Sequence, residues 1–327
     1  MSNTWKGLLS GRVIGRILKG ALYEWNEDKV PRMAAAIAFY AVFSLTPIVV
    51  IAFKIAEYRF GSEVALREIL SQAQFLIGKE GVAAIELLIE NAQPRTTRPL
   101  DAAIGIGAMI FAATGVFTEL KDSLNTIWEV QPKPGLGLMQ MVRDRFFAFA
   151  MVLVIWFLML VSLMTSAAMA AITRFATSYW TGFQFIDATL SLALITVLFA
   201  LIYRVVPDVN VAWREVWLGA LVTAGLFVIG KSLFGLYLGH SSLGNSYGAA
   251  GSLVIVILWT YYSCLILLFG AEMTQVQARL HHAPLEPTDK AVHVTEHSRA
   301  QQGIPRTADI EQACQEDAGE AATQADA

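Results

Sequence analysis

Apolar positions along this chain form long unbroken runs, interrupted at intervals by short polar segments. A helix needs about 20 mainly apolar residues to cross a bilayer, because hydrocarbon offers its backbone no hydrogen-bond partner. Six runs meet that need: residues 33–53, 102–118, 146–173, 187–206, 212–238 and 249–271. The first, Met33 to Phe53, carries no charge, follows Pro31 and contains Pro47, which is expected to kink it. The third is 28 residues long and must tilt or run past the hydrocarbon. From Ser232 to Ala271 there are forty residues without Asp, Glu, Lys or Arg, too many for one span. The Gly-Asn-Ser cluster at 244–246 marks the reversal between spans five and six.

Outside the runs the pattern becomes periodic. Val13, Ile14, Ile17, Leu18, Ala21, Leu22 and Trp25 form one stripe of an amphipathic helix, with Arg12, Arg16 and Lys19 on its other faces. Such a helix can lie on an anionic leaflet or pack on helix ends, and both can hold. The loop at 54–99 reads as a pair of amphipathic helices, one through Val64, Leu66, Ile69, Leu70, Ala73, Leu76 and Ile77. The other runs through Val82, Ile85, Leu88 and Ile89, and Gly78 and Gly81 separate the pair, which forms a small lid outside the cytoplasm. From about residue 284 onward large apolar residues are few, and a disordered tail is expected.

Composition sharpens this picture. Charged residues are 16% of the chain and hydrophobic ones 55%, too little polar coat for a soluble domain of 327 residues. Two cysteines exclude a disulfide scaffold. Residues 281–327 hold nine acids and three bases, so the rest of the chain is net positive. Six Lys and Arg precede the first span, and the loop between spans two and three holds four. The 239–248 turn has none, so both termini are expected inside. The organisation is then a cytoplasmic amphipathic segment at 1–32, a membrane domain at 33–272 and a cytoplasmic tail at 273–327. The fold class is all-α, a polytopic membrane protein.

Several local motifs carry a resemblance. Ala34-Ala35-Ala36-Ile37-Ala38-Phe39-Tyr40 is followed by Phe43-Ser44-Leu45-Thr46-Pro47. Gly115-Val116-Phe117-Thr118-Glu119-Leu120 precedes Ser123-Leu124-Asn125-Thr126-Ile127-Trp128, and Pro207-Asp208-Val209-Asn210-Val211 precedes Trp213 and Gly219-Ala220. Ser246-Tyr247-Gly248, Trp259-Thr260-Tyr261-Tyr262 and Gly270-Ala271-Glu272 complete the order. Over about residues 20–280 the chain resembles the YihY/BrkB family of bacterial inner-membrane proteins. The resemblance implies six spans with both ends cytoplasmic, and a motif framework of Tyr40, Pro47, Gly115, Trp128, Pro207, Gly219, Tyr247, Gly248, Trp259 and Gly270. It also brings three family-level associations: a ribonuclease label, serum resistance and the export of a lipid precursor.

The residues speak against hydrolysis. Four of the five histidines, His281, His282, His293 and His297, lie in or beside the tail, and His240 stands alone in the outer turn. No zinc-type spacing, phosphate-binding glycine loop or serine elbow occurs, so no catalytic residue, metal or cofactor is expected. The polar residues at the ends of the spans carry more. Glu119, Asp122, Asn125, Arg204 and Glu272 should reach the inner face, where Glu272 with Asp122 or Glu119 could meet Arg204 or Arg214. Such pairs would lock helix ends together, or form a gate or a head-group site. Lys231 is the one Lys within span five, and it either snorkels to the interface or meets an anionic group. Transport or handling of a lipid-like substrate in envelope biogenesis is the leading expectation. A structural or assembly factor of an envelope complex is the alternative, and a membrane-bound ribonuclease a remote one. Membrane lipids are the expected partners, with a second copy or an envelope protein possible and no nucleic acid.

Overall fold

In the computed structural model, residues 11–71, 115–133, 182–240, 251–281, 283 and 285–311 are described, with positions 82, 86 and 89. Helix α1 spans Gly11–Glu27 and α2 Val30–Phe60. Residues 62–71 form α3 and residues 115–127 form α4. Strand β1, Val130–Pro132, follows, then α5 (Gly182–Val205), β2 (Val209–Asn210), α6 (Trp213–His240) and α7 (Gly251–Leu280). The tail contributes β3 (Glu286–Pro287), β4 (Ala291–His293) and α8 (Glu296–Gln301).

Among the described residues the long helices form where the runs at 33–53, 187–206, 212–238 and 249–271 predict them, with displaced ends. Pro31 occupies the first turn of α2, where no backbone N–H is needed, and Lys29 ahead of it turns the chain with φ 54° and ψ 44°. That helix continues past the expected end of the first span and stops at Gly61, whose φ of 83° suits a residue without a Cβ. At about 1.5 Å per residue, 31 residues reach further than the hydrocarbon alone requires. Beyond it, Ile89 is buried among Phe53, Leu66, Ile69, Leu70 and Val82, while the other positions of the second expected helix apart from 86, and the end of the first, lie outside the described residues.

Helix α7 is the hub, packing on α6, α2 and α1, while α5 packs on α6. The α6–α7 contact is close because two glycines face hydroxyl residues across it. A Cβ on Gly219 would come within 2.6 Å of the Gly270 carbonyl oxygen, and one on Gly270 would overlap Thr223 and Tyr203. Buried hydroxyls are satisfied inside this contact. Thr223 donates to Gly219 O at 2.7 Å, Thr274 to Gly270 O at 2.7 Å, and Tyr203 to Leu267 O at 2.7 Å. Trp259 sits among the rings of Phe227, Phe234 and Tyr262, further toward the other end of the same two helices.

Two described helices are long and apolar enough to cross a bilayer, over Trp213–Phe234 and Val254–Leu280; Val30–Ser44 and Thr189–Val205 are shorter apolar stretches. The expected span at 146–173 and most of that at 102–118 lie outside the described residues. The outward faces of the long helices remain strongly apolar. Phe39 and Phe43 on α2 and Leu221, Ile229, Leu233 and Leu236 on α6 are all at least half exposed. Such a surface suits hydrocarbon rather than water.

The amphipathic N-terminal helix forms and divides its apolar residues between two settings. Ile17 and Ala21 are buried against Met273 and Val276 of α7, while Ile14, Leu18 and Leu22 are left exposed.

The tail departs from expectation. Disorder from about residue 284 is contradicted through residue 311. Strand β4 pairs antiparallel with β1, matching Val130 to His293, and β3 pairs with β2, matching Val209 to Pro287. The segment lacks an apolar core of its own. It is held by strand pairing and by charged groups on the α1–α2 corner, a partner set that local composition cannot reveal.

Candidate functional site

The polar ends of α4, α5, α6 and α7 converge with the α1–α2 corner and the tail. Helix α4 arrives with Asn125 buried, and that side chain holds the bend after α5. The Asp208 amide donates to Asn125 Oδ1 at 2.8 Å, and Asn125 Nδ2 donates to Asp208 Oδ2 at 3.1 Å. Lys121 completes the clamp with Nζ 2.9 Å from Asp208 Oδ2. Pro207 lies in this bend, where a residue without an N–H leaves no donor to satisfy. Below it, Gln275 of α7 donates to the Ile127 carbonyl at the end of α4, and Trp128 is buried beside it.

A second group gathers where α6 begins. Arg204, at the end of α5, donates to Val211 O at 3.0 Å and lies over the Trp213 ring, 4.5 Å from its centroid. Arg214 Nε donates to Glu215 Oε1 at 2.6 Å. Glu215 is itself buried, and its second oxygen meets His281 Nδ1 at 2.7 Å and Gln277 Nε2 at 3.3 Å. Beside these groups opens a cavity of about 300 Å³.

A third group joins the tail to the core. Arg299 of α8 and Asp28 are both almost wholly buried and pair at 2.7 Å. Burial pushes Asp28 up to about 6 while the guanidinium pulls the other way, so the pair is ionic at neutral pH. Arg279 bridges Glu24 at 2.9 Å and Glu129 at 2.8 Å, and Arg306 also pairs with Glu129. Thr307 donates its amide and its hydroxyl to the Glu27 carboxylate. Burial opposes the Glu27 charge, yet these hydrogen bonds outweigh it and hold the group below its ordinary value.

Glu272 stands apart from all three. It is fully buried on α7, and among the described residues neither carboxylate oxygen has a hydrogen-bond partner. The charges that act on it are Asp28 and Glu24, opposed by Arg279 and Arg299. The expected pairing of Glu272 and Asp122 or Glu119 with Arg204 or Arg214 is therefore corrected. Arg204 meets a carbonyl and an indole, and Arg214 its chain neighbour Glu215, rather than the expected carboxylates. Glu119 is partly buried on α4, and Asp122 is exposed there. Lys231 lies partly buried on α6, toward the end away from the cavity.

Of the motif residues, Gly115 abuts the ring of Tyr40, so α4 starts against α2. Pro47 lies inside α2, while Tyr247 and Gly248 lie outside the described residues. No group of three or more metal-ligating side chains occurs among the described residues. Sequence reading missed Glu215 with His281, and Asp28 with Arg299. Their members are 66 and 271 positions apart, and only the fold brings them together. The one local signal was Glu215 itself, an acid in the first turn of an otherwise apolar helix.

Comparison with known proteins places this arrangement in a family. The model of the family described as Virulence factor BrkB matches residues 21–293. A UPF0761 membrane protein of Ralstonia nicotianae is 29% identical over 254 residues, which are 77% of this chain and 56% of that protein. Another from Alcanivorax borkumensis is 27% identical over 77% of this chain and 58% of its own length. One from Idiomarina loihiensis is 30% identical over 64% of this chain and 72% of its own. The chain thus spans under three-fifths of the first two relatives. No solved structure matches. With the motif order, the apolar helices and a family match across most of the chain, the protein belongs to the BrkB family of integral membrane proteins.

Proposed function

We propose that this protein spans the bacterial inner membrane six times with both termini in the cytoplasm. In this reading it transports or handles a lipid-like or amphiphilic substrate in envelope biogenesis, without catalysing a reaction. The observation that carries the reading is Glu272. A carboxylate buried with no hydrogen-bond partner among the described residues, at the polar end of the central helix, is costly to a fold that needs only a scaffold. Ionisable groups at such depth generally mark a pathway or a moving part. Glu272 sits where α7 meets α1, α2 and the tail, so a change in its charge bears on every element of that end. Lys231, on the other half of α6, is the second charged position that a substrate head group could meet.

The experiment is lipid transfer in proteoliposomes. The purified chain, reconstituted with a fluorescent phospholipid in one leaflet, should accelerate its appearance in the other leaflet. Glu272→Gln should slow transfer at least several-fold while the protein still elutes as one species and melts cooperatively. Lys231→Ala should slow it as well. Equal rates with and without the wild-type protein, across neutral and anionic lipids, would overturn the reading.

A further inference from the structure

The polar corner between α5 and α6 has the makings of a ligand site. Its cavity of about 300 Å³ is lined by Arg204, Asn210, Arg214 and Glu215, with apolar walls that include Val209 and Leu285. Two guanidinium groups and one carboxylate line it, and that carboxylate is already engaged on both oxygens by Arg214, Gln277 and His281. The guanidiniums are not used up. A guanidinium carries five N–H donors. Among the described residues Arg204 spends one, on Val211 O, and Arg214 spends one, on Glu215. The first turn of α6 enters the lining at Arg214 and Glu215, and the Glu215 amide there donates to Ala212 O at 3.0 Å.

The geometry points to a binding site for a phosphate-type anion in this cavity, held by Arg204 and Arg214 and placed to take the head group of an anionic lipid. The surroundings favour a lipid as the source. Trp213 and Trp217 are both partly exposed on α6 beside the cavity, and paired indoles of this kind sit at the level of membrane head groups. Arg204 stacks on the first of them, which fixes its fork at that level. From there an exposed apolar line continues along α6 through Leu221 and Val228, where acyl chains can lie. The site deepens the reading of the chain as a handler of amphiphiles by naming the chemistry of the substrate, and it rests on that reading only for its biological use.

Occupancy tests it without any need for transport. The full chain in mixed micelles would be offered phosphatidylglycerol and phosphatidylcholine, and retained lipid counted by native mass spectrometry. Radiolabelled inorganic phosphate would be titrated separately by equilibrium dialysis. One phosphatidylglycerol should be held per chain in preference to phosphatidylcholine. Arg214→Gln and Arg204→Gln should each weaken it by about tenfold or more, the usual scale for losing a charged hydrogen bond. Arg214 is largely exposed, so Arg214→Gln serves as the variant whose fold is not at risk. Arginine-dependent binding of inorganic phosphate, with no preference between the lipids, would support the anion site and assign it to a soluble ligand. Binding of both probes that is indifferent to both arginines would overturn it. Phosphatidylglycerol bound at the arginines by a protein inert in lipid transfer would leave the site standing while the transport reading fell.

Discussion

Gly270 and Gly219 decide how closely the two central helices approach. A methyl group on Gly270 would overlap the Thr223 hydroxyl and the Tyr203 phenolic oxygen, both buried and both hydrogen-bonded. Gly270→Ala should therefore destabilise the protein by about 1–3 kcal/mol, the usual cost of overpacking a tight contact. Adding Thr223→Ala should recover part of the loss by removing one overlapping oxygen. Thermal melts of the single and double variants in detergent check both, and equal melting of wild type and Gly270→Ala would show that the helices separate freely. Asn125 acts at the same scale. Its amide satisfies both the backbone and the side chain of Asp208, so Asn125→Ala leaves two partners short and should cost about 2–3 kcal/mol in the same melt. Glycine and asparagine were visible in the sequence as members of recognisable motifs. Their partners were not, because each contact joins residues tens of positions apart.

Among elements, the tail is the least expected and the most open to test. Its two short strands tie the segments after α4 and α5, and α8 inserts Arg299 against Asp28. Arg299→Ala would leave Asp28 buried without its partner, and the local cost should be about 3–5 kcal/mol. Hydrogen exchange at residues 286–301 should then rise while exchange in α6 and α7 stays unchanged. Acid should act in a definite order. Asp28 has a raised pKa, so its contribution is fullest below 3.8 and fades as pH rises through about 6. Glu27 has a lowered one, so its contribution is present above 4.5 and is lost as pH falls through its folded value. Lowering pH from 7 to 5 should leave the tail docked, and further acidification should weaken the Glu27–Thr307 contact while the Asp28 contribution is at its fullest. A spin label at the exposed Gln301 should stay immobile between pH 7 and 5, and a mobile spectrum appearing in that window would contradict this order. Helix α1 shows the opposite balance of evidence. Its stripe was legible as a helix, but only the fold divides Ile17 and Ala21, which bind α7, from Ile14, Leu18 and Leu22, which face outward.

For the whole molecule, α1 and the tail meet at one end of α7, and α3 follows the far end of α2. The termini described here therefore share a side, and the proposed orientation places that side in the cytoplasm. Thiol labelling tests it. In a chain with its native cysteines replaced, Arg16→Cys and Gln301→Cys should react with an impermeant maleimide only after the inner membrane is opened. Glu63→Cys should react from outside in intact spheroplasts, and the reverse pattern would invert the topology. The sequence by itself determined the solvent, because long uncharged runs can satisfy their backbone only as helices in hydrocarbon. It also determined where the described long helices lie, since a run of apolar residues is a local property of consecutive positions. What only the tertiary structure decided was the pairing of charges. Arg204 turned from the expected carboxylates to an indole and a carbonyl, Glu272 was left without a hydrogen-bond partner among the described residues, and Arg299 found Asp28. A charge chooses its partner by distance and desolvation in space, and neither is written in the order of the chain.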